Sequence, residues 1–480
     1  MKTGQMMTSI GLAALAAVLL SACATSEGKP YMSKTEPTWD LGFQDAFVSD
    51  VIDVREKHLS PDYWLTQASN DVLMSVPDIQ SFNAASIASD DTLNNIAALP
   101  GILSREALTD IVRSISNIPS YPRIYSDGTE VTADDFARYE AMLNLSTIGA
   151  SNPVRYALTV KRTSIRTYPT NDLLFSHDAK DRDIERFQES VLFPGDAVAV
   201  LHESTDRQWA LIQSYNYTAW VRKSDIALGD KSSVLDYGNT DNFLLITGDK
   251  VSTVYNPEVP AVSELQLDMG VRLPLSRPDE FKNSLYGQNP YLNHMVLLPV
   301  RKSDGSLDFK HALIQRKADV NIGYLPHTQA NIIKQSFKFL GERYGWGHRY
   351  NGRDCTGFVL EIYKTFGFLL PRNSGDQRDS DIGQNDRFAK HENEAEKIER
   401  LKNAAPGDLV YIPGHVLMVL GQSDGQPFAI HDVHGMRYKR PDGSIYIGTL
   451  NGVSVTPILP LMSNDTESYV DNILSVKTIK

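Results

Sequence analysis

Cys355 lies in the stretch 345–363, GWGHRYNGRDCTGFVLEIY, and is one of only two cysteines in 480 residues. Phe358, Val359, Ile362, Tyr363 and Phe366 follow it at helical spacing, and Gly367 and Pro371 end the run. Cys355 is therefore predicted at or beside a helix N-terminus, where unpaired N–H groups and the positive end of the dipole favour thiolate over thiol. Thiolate is a nucleophile, and the same N–H groups suit an oxyanion. Such a group needs a base. In GDLVYIPGHVLMVLG, His415, Leu417 and Val419 share one face of a predicted strand, and QPFAIHDVHG reads as the next strand. A five-residue loop, 421–425, sets His415 opposite His431, which would then orient the base. A two-residue Asp424-Gly425 turn sets His415 opposite His434 instead. Spacing alone leaves both open. A metal site would use the same residue types, but no short Cys/His ligand pair accompanies Cys355, so neither metal nor cofactor is expected.

The elements around this constellation change character along the chain. Residues 41–150 read mostly helical, with Phe136, Tyr139, Met142 and Leu143 on one face. From about Val154 the segments RYALTVKRTSIRTYPT, DAVAVLHES and QWALIQSYNYTAWV come at the strand-and-turn spacing of a small β-barrel. A second such set runs over 241–325, without a clean internal repeat. Helical periodicity returns at Thr328, where Ile332, Ile333, Phe337 and Leu340 form a stripe. The charged run 376–402 reads as a solvated helix or insertion.

The N-terminus has Lys2, an apolar run over 10–20 and then small residues, the pattern of a secretory signal too short to span a membrane. The run closes on LSAC, which resembles the bacterial lipobox. That pattern implies cleavage before Cys23 and lipid on Cys23. Ala24, in place of an Asp, implies the outer membrane, on its periplasmic face. With Cys23 acylated, Cys355 has no disulfide partner within the chain. The net charge of -12 argues against nucleic acid, which needs clustered Lys and Arg.

Tyr344-Gly345-Trp346-Gly347, Asp354-Cys355-Thr356-Gly357-Phe358, Pro406-Gly407-Asp408-Leu409, His415-Val416 and Ile430-His431 together resemble the NlpC/P60 cysteine peptidases of bacterial cell walls. The likeness covers roughly 330–460. It departs at His348, where a second Gly is common, at Thr356 for Ser and at Leu417 for Gly. It favours His431 over His434 as the third catalytic member. The whole chain is similar to a multi-domain α+β subgroup of that family. That resemblance implies a signal peptide (1–22), a lipidated tether (23–40), a helical stabilising domain (41–150), SH3-like barrels (151–230 and 231–327) and a papain-like peptidase domain (328–480).

It also implies an activity: cleavage of the γ-D-glutamyl to diamino acid bond, with meso-diaminopimelate, in peptidoglycan stem peptides. Cys355, His415 and His431 would be catalytic. Asp354 and a first-barrel tyrosine, here Tyr217, would contact the free amine of the substrate's L-Ala. Thr356 would join the substrate site, and Glu185 or Glu189 would add a carboxylate. The expected partners are stem peptides and, through the lipid, the membrane, with the protein a monomer. Two other functions fit less of the sequence. A wall-binding lipoprotein has no need of Cys355, His415 and His431 together, and an amide or acyl transferase on the same fold would differ in its products.

Overall fold

The structure, a computed structural model, describes residues 47–178, 182–277 and 283–480. The signal, Cys23 and the tether lie outside the described residues. Residues 48–480 form one compact unit.

Four helices open it: α1 (Pro61–Leu65), α2 (Val76–Ser89), α3 (Arg105–Ile115) and α4 (Ala133–Met142). Each begins at a Ser or Thr whose hydroxyl accepts a backbone N–H of the first turn. Read from the sequence as a helical stabilising domain over 41–150, they divide between two cores. Trp64 and Ile79 join the core around Phe358 and Phe428. Leu108, Val112, Phe136 and Tyr139 instead join Tyr168, Leu211 and Trp220. Each half has too few apolar side chains to close a core alone, so it completes a neighbour's.

The first β-rich region forms an antiparallel sheet of seven strands: β1 (Arg155–Thr159), β2 (Thr163–Arg166), β3 (Gln188–Leu192), β4 (Ala197–Glu203), β5 (Trp209–Gln213), β6 (Thr218–Arg222) and β7 (Ile226–Gly229). Their order is β7-β1-β4-β5-β6-β2-β3, and β7 and β3 are edges, so the sheet is not a closed barrel. Bulges in β4 and between β2 and β3 supply its curvature. Among its described residues the second region also shows no closed barrel. A three-stranded sheet of β8 (Phe243–Ile246), β9 (Arg272–Pro274) and β10 (Val320–Ile322) packs with separate two-stranded ribbons over Leu244, Leu273, Val296 and Ile314.

The last region holds α5 (Gln329–Phe337), a 3-10 stretch over Trp346–Asn351, and α6 (Cys355–Lys364). These pack on six strands: β11 (Gln384–Arg387), β12 (Leu409–Ile412), β13 (His415–Ser423), β14 (Gln426–Lys439), β15 (Ile445–Pro457) and β16 (Ser475–Thr478). Their order is β11-β16-β12-β13-β14-β15. Phe358, Val359 and Ile362 of α6 meet Val416, Met418 and Ile430 of the sheet in one core. The charged run does hold a largely exposed helix, but it is not an insertion apart from the fold. It supplies the edge strand β11 and that helix, Glu394–Lys402, whose Leu401 is buried in a second core across the sheet.

Candidate active site

Cys355 is the first residue of α6, as its spacing predicts. Asp354 caps the helix, its Oδ1 accepting the Gly357 N–H at 2.9 Å. Burial and then the Asp354 charge push the Cys355 thiol up to about 12. The Val416 backbone N–H, one residue past His415, acts the other way. Cys355 is 8% exposed, and desolvation is the largest of these effects. Attack therefore needs a base to remove the proton.

His415 begins β13, directly after a Pro413-Gly414 turn that pairs it with Ile412. Its Nε2 lies 2.8 Å from His431 Nδ1, and His431 Nε2 lies 2.9 Å from Thr456 Oγ1 on β15. With each Nε2–H donating onward, His415 Nδ1 is left as an acceptor. Burial lowers the His415 pKa to about 4 and, with the His415 charge, holds His431 well below the usual histidine range. Both rings are neutral near pH 7, the state a base requires.

The sequence named His431, but for the wrong register. The β13–β14 hairpin closes through the two-residue Asp424-Gly425 turn, with Ser423 opposite Gln426. A bulge at Leu420 then shifts the ladder, giving Met418 opposite Ile430. His431 thus meets His415 as a diagonal neighbour rather than an opposite one. His434 turns elsewhere, its Nε2 2.9 Å from Asp183 Oδ2. His431→Ala is expected to lower kcat at least tenfold more than His434→Ala, in initial rates on a stem tripeptide. The reverse ranking would remove His431 from the relay.

Asp354 does not offer a free carboxylate. Its Oδ1 accepts from Gly357 and from Thr356 Oγ1 at 3.0 Å. Its Oδ2 accepts the Gly347 N–H at 3.0 Å and Arg372 Nη2 at 2.7 Å. Burial would raise the Asp354 pKa, but the Arg372 guanidinium overrides it and holds the carboxyl below the usual range. Thr356 is spent in the same way, since its Oγ1 also accepts Arg372 Nη1 at 2.6 Å.

Tyr217 and Glu189 come together: the Tyr217 hydroxyl donates to Glu189 Oε2, and Thr167 Oγ1 donates to Oε1 at 2.5 Å. Burial and the Glu189 charge raise the Tyr217 pKa. Glu189 lies on β3 between two anchors to the peptidase region. Gln188 O accepts Trp346 Nε1 at 3.1 Å, and Ser190 Oγ accepts Arg372 Nε at 2.7 Å. Glu185 is structural. It is buried, 3.0 Å from Arg166 Nη1, and its Oε1 accepts the Leu174 and Phe187 N–H groups.

Sequence reasoning missed Thr456, Arg372 and Asp432. Arg372 follows the helix-ending Pro371, and no local pattern marks it. Asp432 is buried beside His431 with no hydrogen-bond partner on either oxygen among the described residues. Burial and then the Asp354 charge push its pKa well above the usual carboxylate range.

Comparison with known proteins gives these regions names. Residues 341–454 match the NlpC/P60 family, and residues 174–222 match the SH3 domain of SH3b1 type. The chain carries both domains. A gamma-D-glutamyl-L-lysine dipeptidyl-peptidase of Bacillus subtilis (strain 168) is 31% identical over 110 residues, 22% of this chain and 37% of that protein. One of the same name from Bacillus cereus (strain ATCC 10987 / NRS 248) is 28% identical over 169 residues, 34% of this chain and 43% of that protein. The matches thus span about two fifths of these curated relatives. An NlpC/P60 endopeptidase from Photobacterium damselae subsp. piscicida shares the fold, with a TM-score of 0.67 over 87% of this chain and 97% of that one, at 17% identity.

Proposed function

We propose that this chain, with an NlpC/P60 domain behind an SH3 domain, is a cysteine peptidase that cuts the γ-D-glutamyl to meso-diaminopimelate bond of peptidoglycan stem peptides. The observation that carries this reading is the hydrogen-bonded His415–His431–Thr456 chain on strands that share one core with Cys355 at the start of α6. The names of the two relatives support the class of bond. His415 Nδ1 takes the thiol proton as Cys355 Sγ attacks the γ-carbonyl carbon. N–H groups at the start of α6 stabilise the oxyanion. The C–N bond breaks as the imidazolium gives its proton to the leaving amine. Water, deprotonated by His415, then hydrolyses the thioester and restores the thiol. Glu189, braced by Tyr217, receives the ammonium of a free L-Ala.

The test is incubation with L-Ala-γ-D-Glu-meso-diaminopimelate and mass spectrometry of the products. The expected products are L-Ala-D-Glu and free diaminopimelate. Release of L-Ala, or a transfer adduct in place of the dipeptide, would overturn the reading.

We also propose that acylated Cys23 anchors the protein to the outer membrane. Among the described residues no helix is long and apolar enough to cross a membrane. A single acyl chain binds only marginally, so firm retention needs several chains on the one cysteine. Cys23→Ser is expected to move the protein from the membrane fraction to the soluble envelope fraction. Unchanged fractionation would reject the anchor.

A further inference from the structure

His348 is buried, and it occupies left-handed backbone at φ 65, ψ 23. Its Nε2 lies 3.0 Å from Glu361 Oε1, and its Nδ1 lies 3.4 Å from Arg372 Nη2. The partners fix the ring. A carboxylate only accepts and a guanidinium only donates, so Nε2 must carry the hydrogen and Nδ1 must be bare. Arg372 is the group that binds Asp354, Thr356 and Ser190 at once, around the nucleophile. A cavity of about 60 Å³ adjoins the ring, lined by Ser190, Tyr215, His348, Lys364 and Arg372 among others. At about 30 Å³ per water it has room for one or two, enough to bring a proton.

We propose that His348 is a positioning residue: its neutral Nε2–H tautomer holds Arg372 in place at the substrate site, and a proton on Nδ1 releases it. A protonated ring sets an N–H against an N–H and a cation against a cation. The charged groups facing the ring are Glu361 on α6, Asp354 at its cap, Arg372 beyond the helix, and Lys364 across the cavity. Arg162 reaches in from the segment before β2 to the His348 carbonyl at 2.9 Å. Glu361 and Asp354 favour the proton, while burial and Arg372 oppose it. The balance lies below the usual histidine range, burial being the largest cause. The direction is therefore fixed: the arrangement is intact near neutral pH and is lost as pH falls through the lowered pKa.

This inference rests on the proposed substrate, and the experiment separates the two. Binding of L-Ala-γ-D-Glu-meso-diaminopimelate to the Cys355→Ala protein is measured by calorimetry from pH 7.5 to 4.5. The same series is run with His348→Asn added. Asn tolerates the left-handed backbone and keeps a donor and an acceptor, but gains no proton. The parent is expected to lose about tenfold more affinity across that range than the Asn variant, since one opposed donor pair costs about 1.4 kcal/mol. Equal pH dependence in both would overturn the proposal. Long-range proton–nitrogen NMR spectra of the parent read the ring directly, whether or not the Asn variant folds. A neutral Nε2–H ring at pH 7.5, charging as affinity falls, is the expected result. A cationic ring or an Nδ1–H tautomer at pH 7.5 overturns it. No peptide binding at pH 7.5 would reject the substrate, while the spectra still decide the role of His348.

Discussion

Cys355→Ala is expected to abolish hydrolysis of the stem tripeptide, with kcat falling on the order of 10⁶-fold while the protein stays folded. The size follows from the chemistry. Without sulfur no thioester can form, and the His415–His431–Thr456 relay has no proton to take. The oxyanion donors alone leave only the residual catalysis of a bound, polarised amide. The fold should persist for local reasons. Cys355 opens α6, Ala is a good helix former, and the Asp354 cap uses the Gly357 N–H rather than the thiol. Removing one buried sulfur leaves a small void, so the stability loss is expected at about 1–2 kcal/mol. Product formation read by mass spectrometry, beside a thermal melt, separates the two effects. Activity above a few per cent of wild type, with the melt unchanged, would reject the nucleophile. It would restore the wall-binding lipoprotein as the better account.

What the sequence could tell about this site depended on the range of the interaction. The α6 start, the His415 strand and the following strand are local patterns, legible from period and punctuation. The bulge at Leu420 is not, because nothing in GHVLMVLGQSDGQPFAIH says which residue leaves the ladder. His431 was therefore found by residue type and family likeness, through a register that the chain does not adopt. How far burial raises the Cys355 pKa was not legible for a related reason. The helix end and the neighbouring Asp354 are visible in sequence, but the burial that is the largest cause comes from segments far apart in the chain. Helical and strand texture were legible upstream too. Which core the Trp64 and Phe136 helices serve was not, nor was the open edge at β3, since both depend on partners remote in sequence.

That open edge carries Glu189, and Glu189→Gln is expected to collapse a preference for free peptides over glycan-linked ones. Asp354 was the first candidate for this role by its place before Cys355, but its lone pairs are engaged by Gly347, Thr356, Gly357 and Arg372. A substrate ammonium would have to displace a guanidinium to reach it. Among the described residues Glu189 accepts from the Tyr217 and Thr167 hydroxyls alone, so its carboxylate keeps acceptor capacity. The SH3 edge strand that bears it is fastened to the peptidase region on either side, through Gln188 to Trp346 and through Ser190 to Arg372. A free L-Ala ammonium there pairs with the carboxylate. An L-Ala acylated by glycan has no charge and adds bulk where the strand stands. Losing one partner of a desolvated charge pair costs roughly 2–5 kcal/mol. Glu189 is only half-buried, so the low end applies, about 30-fold in specificity. Wild type should therefore cut L-Ala-γ-D-Glu-meso-diaminopimelate at least 30-fold better in kcat/KM than its N-acetylated form. Glu189→Gln should lose most of that ratio, mainly through the free peptide, and Tyr217→Phe should lose part of it. Asp354→Asn should instead act through the fold, lowering activity on both peptides together with the melting temperature. Equal cleavage of the two peptides by wild type would remove the gate and leave the Cys355–His415–His431 chemistry standing.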